Sequence, residues 1–134
     1  MNKRVLFVLA LFTTVLLTGC GKADKLTCTN EQKYGTAVLK TETVVKFKNG
    51  YKSESKTTME ATFDSDVTAK SFAENYEKRL KDEDSSQSVD VLSVKQDKNT
   101  VIVKTAESKS SISKTKIKKD SEKEQLENVG FKCQ

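Results

Sequence analysis

The chain has 134 residues, with 24 lysines and arginines against 19 aspartates and glutamates, for a formal charge of +5. Such a length holds one domain rather than two, and so mild a basic excess argues against nucleic acid as a partner. The sequence has no histidine and only 5 scattered glycines, which excludes a histidine general base, Ser-His and Cys-His pairs, and glycine-rich phosphate loops.

The first element is an export signal. Asn2-Lys3-Arg4 supplies a positive start, and Val5 to Leu17 is apolar apart from Thr13 and Thr14. As a helix this run would reach about 20 Å, short of the ~30 Å hydrocarbon core. Gly21-Lys22-Ala23-Asp24-Lys25 turns polar at once, so the pattern is that of a signal peptide and not of a membrane-spanning helix. Leu17-Thr18-Gly19-Cys20 closes it in the Leu-x-Gly-Cys shape of a bacterial lipobox. Small Gly19 admits the peptidase, and Cys20 offers the thiol for acylation. Two acyl chains of the palmitate kind anchor stably where one is marginal. An ordinary secretory peptide with a chance cysteine, or a retained anchor, is the alternative. The expected organisation is a lipoprotein signal peptide over 1–19, a lipidated N-terminus and tether over 20–25, and a single α+β domain over 26–134. Its expected address is the extracytoplasmic face of the cell membrane. A bias to Lys, Ser, Thr and Asn suggests an AT-rich, Gram-positive source.

Removal of residues 1–19 leaves about 115 residues with a charge of about +3. Cys28 and Cys133 then bracket the domain. The compartment permits disulfides, and with Cys20 acylated only one pairing is left. A bridge closing about 106 residues would stabilise by roughly 4–5 kcal/mol on the chain-entropy account. A redox-active pair lacks the Cys-x-x-Cys spacing, and two thiols without histidine rarely hold zinc. The structural disulfide is the expectation, and no metal or cofactor is implied.

Leu26 to Thr29 reads as a short strand. Residues 36–63 carry the clearest signal. Ala37, Leu39, Thr41, Thr43, Val45 and Phe47 alternate with Lys40, Glu42, Lys46 and Lys48, and after Asn49-Gly50 Tyr51, Ser53, Ser55, Thr57, Met59, Ala61 and Phe63 alternate with Lys52, Glu54, Lys56, Thr58 and Glu60. Such alternation predicts two half-buried strands. A two-residue Asn49-Gly50 loop would pair Lys48 with Tyr51 and turn the two apolar faces apart. A three-residue loop from Lys48 to Gly50 pairs Phe47 with Tyr51 and aligns them, so that turn is predicted. The Thr and Ser positions in mid-face imply partial burial or a polar groove.

Residues 66–81 predict a helix, with Ala69, Phe72, Ala73, Tyr76 and Leu80 in one stripe that packs on the sheet or, as the alternative, meets a partner. Asp66 or Thr68 is the candidate cap, Lys78, Arg79 and Lys81 suit the final turn, and residues 82–86 end it. Val89–Val94 and Thr100–Thr105 form a second hairpin pattern around Asp97-Lys98-Asn99. The unbroken Val101-Ile102-Val103 run points to an interior strand. Residues 107–119 read as an edge strand or a mobile loop. Their lysines are either solvated or placed to meet anionic lipid headgroups or wall polymers, at about 1 kcal/mol each near a charged membrane. Ser121 to Glu124 has capping-box spacing, so a short helix is predicted from Ser121, with Leu126 and Val129 inward and Gly130 ending it. Phe131-Lys132-Cys133 then returns toward Cys28.

The fold expectation is therefore an antiparallel sheet of about 4–6 strands, a central helix on one face and a short C-terminal helix. No Walker loop or metal-ligand cluster appears, and no spacing singles out a Ser-Lys dyad. The layout of lipobox, long strand pair, helix over Asp66–Leu80, further strands and a last helix closing on Gly130-Phe131-Lys132 resembles the small bacterial lipoproteins typified by YehR. That resemblance implies a compact α+β domain, no established activity and no transferable functional residues. The expected role is a monomeric, lipid-anchored binding or accessory module that meets an envelope protein or wall polymer. An envelope enzyme or enzyme inhibitor with an unfamiliar site is the alternative.

Overall fold

Long alternating strands make the frame. The computed structural model describes residues 24–81 and 88–134. The chain runs β1 (Asp24–Tyr34), β2 (Ala37–Lys48), β3 (Tyr51–Thr62), α1 (Asp66–Lys81), β4 (Val89–Asp97), β5 (Thr100–Glu107), α2 (Lys109–Thr115), α3 (Lys119–Asn128) and β6 (Lys132–Cys133). The strands form one antiparallel α+β sheet in the order β4-β5-β3-β2-β1-β6. The apolar run at Val101–Val103 does lie on an interior strand, between β4 and β3.

Register puts Leu26 beside Val45, Val45 beside Ser55, and Met59 beside Val103. These residues share one face, and the helices cover it with two apolar clusters. Leu26, Cys28, Val45 and Phe47 pack under Leu126, Phe131 and Cys133. Ala69 and Ala73 of α1 pack on Val101 and Val103, flanked by Met59, Phe63, Phe72 and Tyr76. Between the clusters runs a polar seam. Thr43 and Ser55 are buried, and the Thr43 and Thr57 hydroxyls meet at 2.9 Å. The mid-face Thr and Ser positions are thus a buried seam at Thr43 and Ser55, and partly buried at Thr41 and Thr57.

The β2–β3 turn differs from the predicted one. Asn49 and Gly50 both have positive φ, 55° and 82°, and Lys48 pairs with Tyr51. This is the two-residue Asn-Gly turn whose twist suits a hairpin. The parity conflict is solved one step later: Phe47 pairs with Lys52 while Lys46 pairs with Glu54, so Ser53 is an extra residue. A bulge of this kind shifts the following residues by one position. The Ser53 hydroxyl seals it by donating to the Lys46 carbonyl at 3.1 Å. Beyond the bulge the apolar faces align as expected. Before it they do not, so Tyr51 is exposed and Lys52 is buried.

Other boundaries also move. β1 begins at Asp24 and runs to Tyr34, so Asp24 and Lys25 belong to the sheet and not to a tether over 20–25. Pairing along the whole of β2 carries its polar second half. Ser65, not Asp66 or Thr68, caps α1, its hydroxyl accepting from the Thr68 amide at 3.2 Å. The packed stripe of α1 stops at Tyr76, and Leu80 one turn later is exposed. Residues 82–86, predicted to end that helix, lie outside the described residues. The β4–β5 turn is Lys98-Asn99, with Asp97 paired to Thr100.

Residues 109–115 are neither strand nor loop but the helix α2. Ser108 caps it by accepting from the Ser111 amide, Lys116 ends it in the left-handed region, and Ile112 is buried. α3 starts two residues before Ser121, with Lys118 as a cap that makes no side-chain bond. Tertiary contacts set that start: Lys118 bridges to Tyr51 and Lys119 pairs with Asp24. Gly130, at φ 99°, ends α3. The Gly130 amide bonds the Glu127 carbonyl and the Phe131 amide the Leu126 carbonyl, a full Schellman closure. That turn sends Phe131 into the core in place of Val129, which is exposed.

Candidate functional site, a basic end of the sheet

The bulge at Ser53 delivers a lysine to the interior. Lys52 lies beside Phe47 on the helix-covered face, and its side chain is only 4% exposed. A buried ammonium needs partners. Glu107, at the end of β5, approaches its Nζ at 2.8 Å. Glu122, in the first turn of α3, places both carboxylate oxygens at 3.2 and 3.3 Å. The Lys52 amide donates to the Ile117 carbonyl at 2.7 Å. The ammonium thus ties β3 to β5 and α3, and the Lys52 backbone ties β3 to the segment between α2 and α3. Its Nζ is directed at carboxylates, so this cluster acts as a bolt and presents no free amine.

Above the bolt lies an open groove of about 500 Å³, lined by Tyr51, Ser53, Lys109, Ile112, Ser113 and Lys116. Two ammonium groups, two hydroxyls and a phenol ring make its rim cationic and hydrogen-bonding. On the adjoining open face, Glu54 sits between Lys46 at 2.9 Å and Lys56 at 3.0 Å. The hydrogen bond from Lys46, then that from Lys56, holds its carboxyl below the usual glutamate range.

Of the sequence-derived sites, Cys28 and Cys133 are joined in a disulfide across the β1–β6 pair. Cys20 lies outside the described residues. Among the described residues no group of three or more His, Cys, Asp or Glu is placed to hold a metal. No helix among them is long and apolar enough to cross a membrane. Sequence reasoning missed the Lys52, Glu107 and Glu122 cluster. The signal was present in the parity conflict at Asn49-Gly50, because a two-residue turn forces Lys52 inward. No known protein family, curated protein or solved structure matches the chain.

Proposed function

We propose that this chain is a cell-envelope lipoprotein, anchored on the extracytoplasmic face of the membrane through Cys20, and that it works as a binding or accessory module. The observation that carries the reading is the Leu17-Thr18-Gly19-Cys20 motif at the end of a short apolar run. The Cys28–Cys133 disulfide supports the same address, since disulfides persist outside the reducing cytosol. The layout resembling YehR-type lipoproteins agrees with it and adds no activity. For the module reading, the support is the helix-free face of the sheet. Lys40 there lies between Glu31 and Glu60, and Glu42 lies between Thr29 and Thr58. Glu60 is buried there, and the half-buried Lys40 and Glu42 with the exposed Glu31 leave a mixed-charge surface that suits an envelope protein or wall polymer better than a small substrate.

The test of the anchor is Cys20→Ser. The substitution abolishes incorporation of radiolabelled lipid, and the protein is released or stalls as precursor. Lipid incorporation at the wild-type level in the variant would overturn the reading.

A further inference from the structure

We propose that the sheet end carrying Lys48, Tyr51, Lys109, Lys116 and Lys118 is a contact surface for the headgroups of anionic phospholipids, and that it seats the domain on the membrane in a fixed orientation. The inference rests on the reading of Cys20 as the lipid anchor and adds a second, electrostatic attachment to it.

Register supplies the geometry. Asp24, where β1 begins, pairs with Phe47, two residues before the Asn49-Gly50 turn. The strand therefore enters the sheet at its turn end. Tyr51 starts β3 at that end and bridges to Lys118, while Lys119 pairs with Asp24. The groove between Tyr51, Lys109 and Lys116 opens there as well. The hairpin turn thus lies at the same end of the sheet as the chain entry. Residues 21–23 separate Cys20 from Asp24, so fully extended chain allows at most about 14 Å. The anchor holds this end within about two Debye lengths of the lipid surface.

Charge supplies the complementarity. Among the described residues, Lys48, Lys109, Lys116 and Lys118 form no ion pair. The acids nearby are largely engaged: Asp24 by Lys119, Glu54 by Lys46 and Lys56, and Glu107 and Glu122 by Lys52. Among the described residues Asp120, in the first turn of α3, and Asp90, beside Ala106 near the start of β4, form no ion pair, two acids against the four free lysines. The end is net positive, and Tyr51, 42% exposed, presents an amphipathic ring of the kind that sits at headgroup level. A wall polymer carries similar phosphates, but the short tether delivers this end to the lipid first.

Amine-reactive labelling of the wild-type lipoprotein in vesicles reads the contact without any mutation. Vesicles of phosphatidylcholine alone are compared with equal parts phosphatidylcholine and phosphatidylglycerol. On the anionic vesicles Lys48, Lys109, Lys116 and Lys118 label about fivefold more slowly, and raised salt restores them. Lys33 and Lys98, at the far end, do not change. The chain has no tryptophan, so Tyr51→Trp gives a single reporter, quenched by a nitroxide headgroup lipid only when phosphatidylglycerol is present. Flotation on neutral vesicles reads the acyl anchor separately, and protein added to anionic vesicles reads the basic end even where that anchor fails. Equal labelling of near and far lysines, or the same pattern on neutral lipid, overturns the proposal. So does loss of protection when soluble poly(glycerol phosphate) is added and remains bound, which assigns the surface to a wall polymer.

Discussion

Lys52 shows how one backbone irregularity decides a residue's environment. The bulge at Ser53 turns it inward, and two carboxylates then hold it. Removing the cation leaves Glu122 buried without a countercharge and Glu107 with only the Ser111 hydroxyl, so Lys52→Ala is expected to cost about 3–5 kcal/mol. Replacing all three with apolar residues of similar volume (Lys52→Met, Glu107→Leu, Glu122→Leu) is expected to recover most of that. Urea denaturation checks both, and a single variant within 1 kcal/mol of wild type would show that the cluster holds nothing together. Glu54 is the opposite case, an exposed group with a lowered pKa. A depressed carboxyl contributes stability that is full above the unfolded value near 4.3 and is lost as pH falls through the folded value. Because Glu54 is 35% exposed, screening limits this to about 0.5 kcal/mol. An NMR titration should place its midpoint below those of other surface glutamates, and Lys46→Met should raise it more than Lys56→Met. At this scale the disulfide partners were legible from compartment and count. The Lys52 bolt was not, because its three members are distant in sequence and each looks like an ordinary surface charge.

Elements were legible where hydrophobic period and length agree. β2, β3 beyond its bulge and α1 as far as Tyr76 carry long, regular patterns that the structure keeps. α2 was hidden because its only buried apolar residue is Ile112. A single apolar position has no period, and Ser and Lys fit a loop equally well. Its cap, Ser108, is one serine among many. α3 was found but displaced, since the bridge from Lys118 to Tyr51 outweighs the capping-box spacing at Ser121. α1 offers the sharpest test at this scale. Phe72 lies between Phe63 and Tyr76, with ring centroids 5.1 Å from each. Truncation of Phe63 or Phe72 to alanine should cost about 3 kcal/mol, the low end for a buried phenylalanine, because each ring is only partly covered. The two losses should not add, since the rings share a contact. Costs under 1 kcal/mol, or strict additivity, would place α1 off the sheet.

At the scale of the molecule, the described residues form a sheet with two separate apolar clusters, and the disulfide belongs to only one of them. Cys28 lies in the cluster of Leu26, Val45 and Phe47, and Cys133 sits beside it on the two-residue strand β6. The amides of Thr27 and Gln134 exchange bonds with each other's carbonyls at 3.1 and 2.8 Å. So short a strand has little pairing of its own, and the bond fixes it there. The other cluster, around Ala69, Ala73, Val101 and Val103, contains neither cysteine. Reduction should therefore lower global stability by several kcal/mol, up to the roughly 4–5 expected for a loop of this length, and leave the fold standing. The loss should also be uneven. Hydrogen exchange should quicken in β6, Phe131 and the outer edge of β1, while β3, β5 and α1 keep their protection below the global unfolding limit. The Cys28→Ala, Cys133→Ala variant should behave as the reduced protein does. Free thiols at both cysteines in exported protein would remove the bridge altogether. Uniform acceleration across both clusters on reduction would instead show that the sheet opens as one unit and that the polar seam at Thr43 and Ser55 does not divide it.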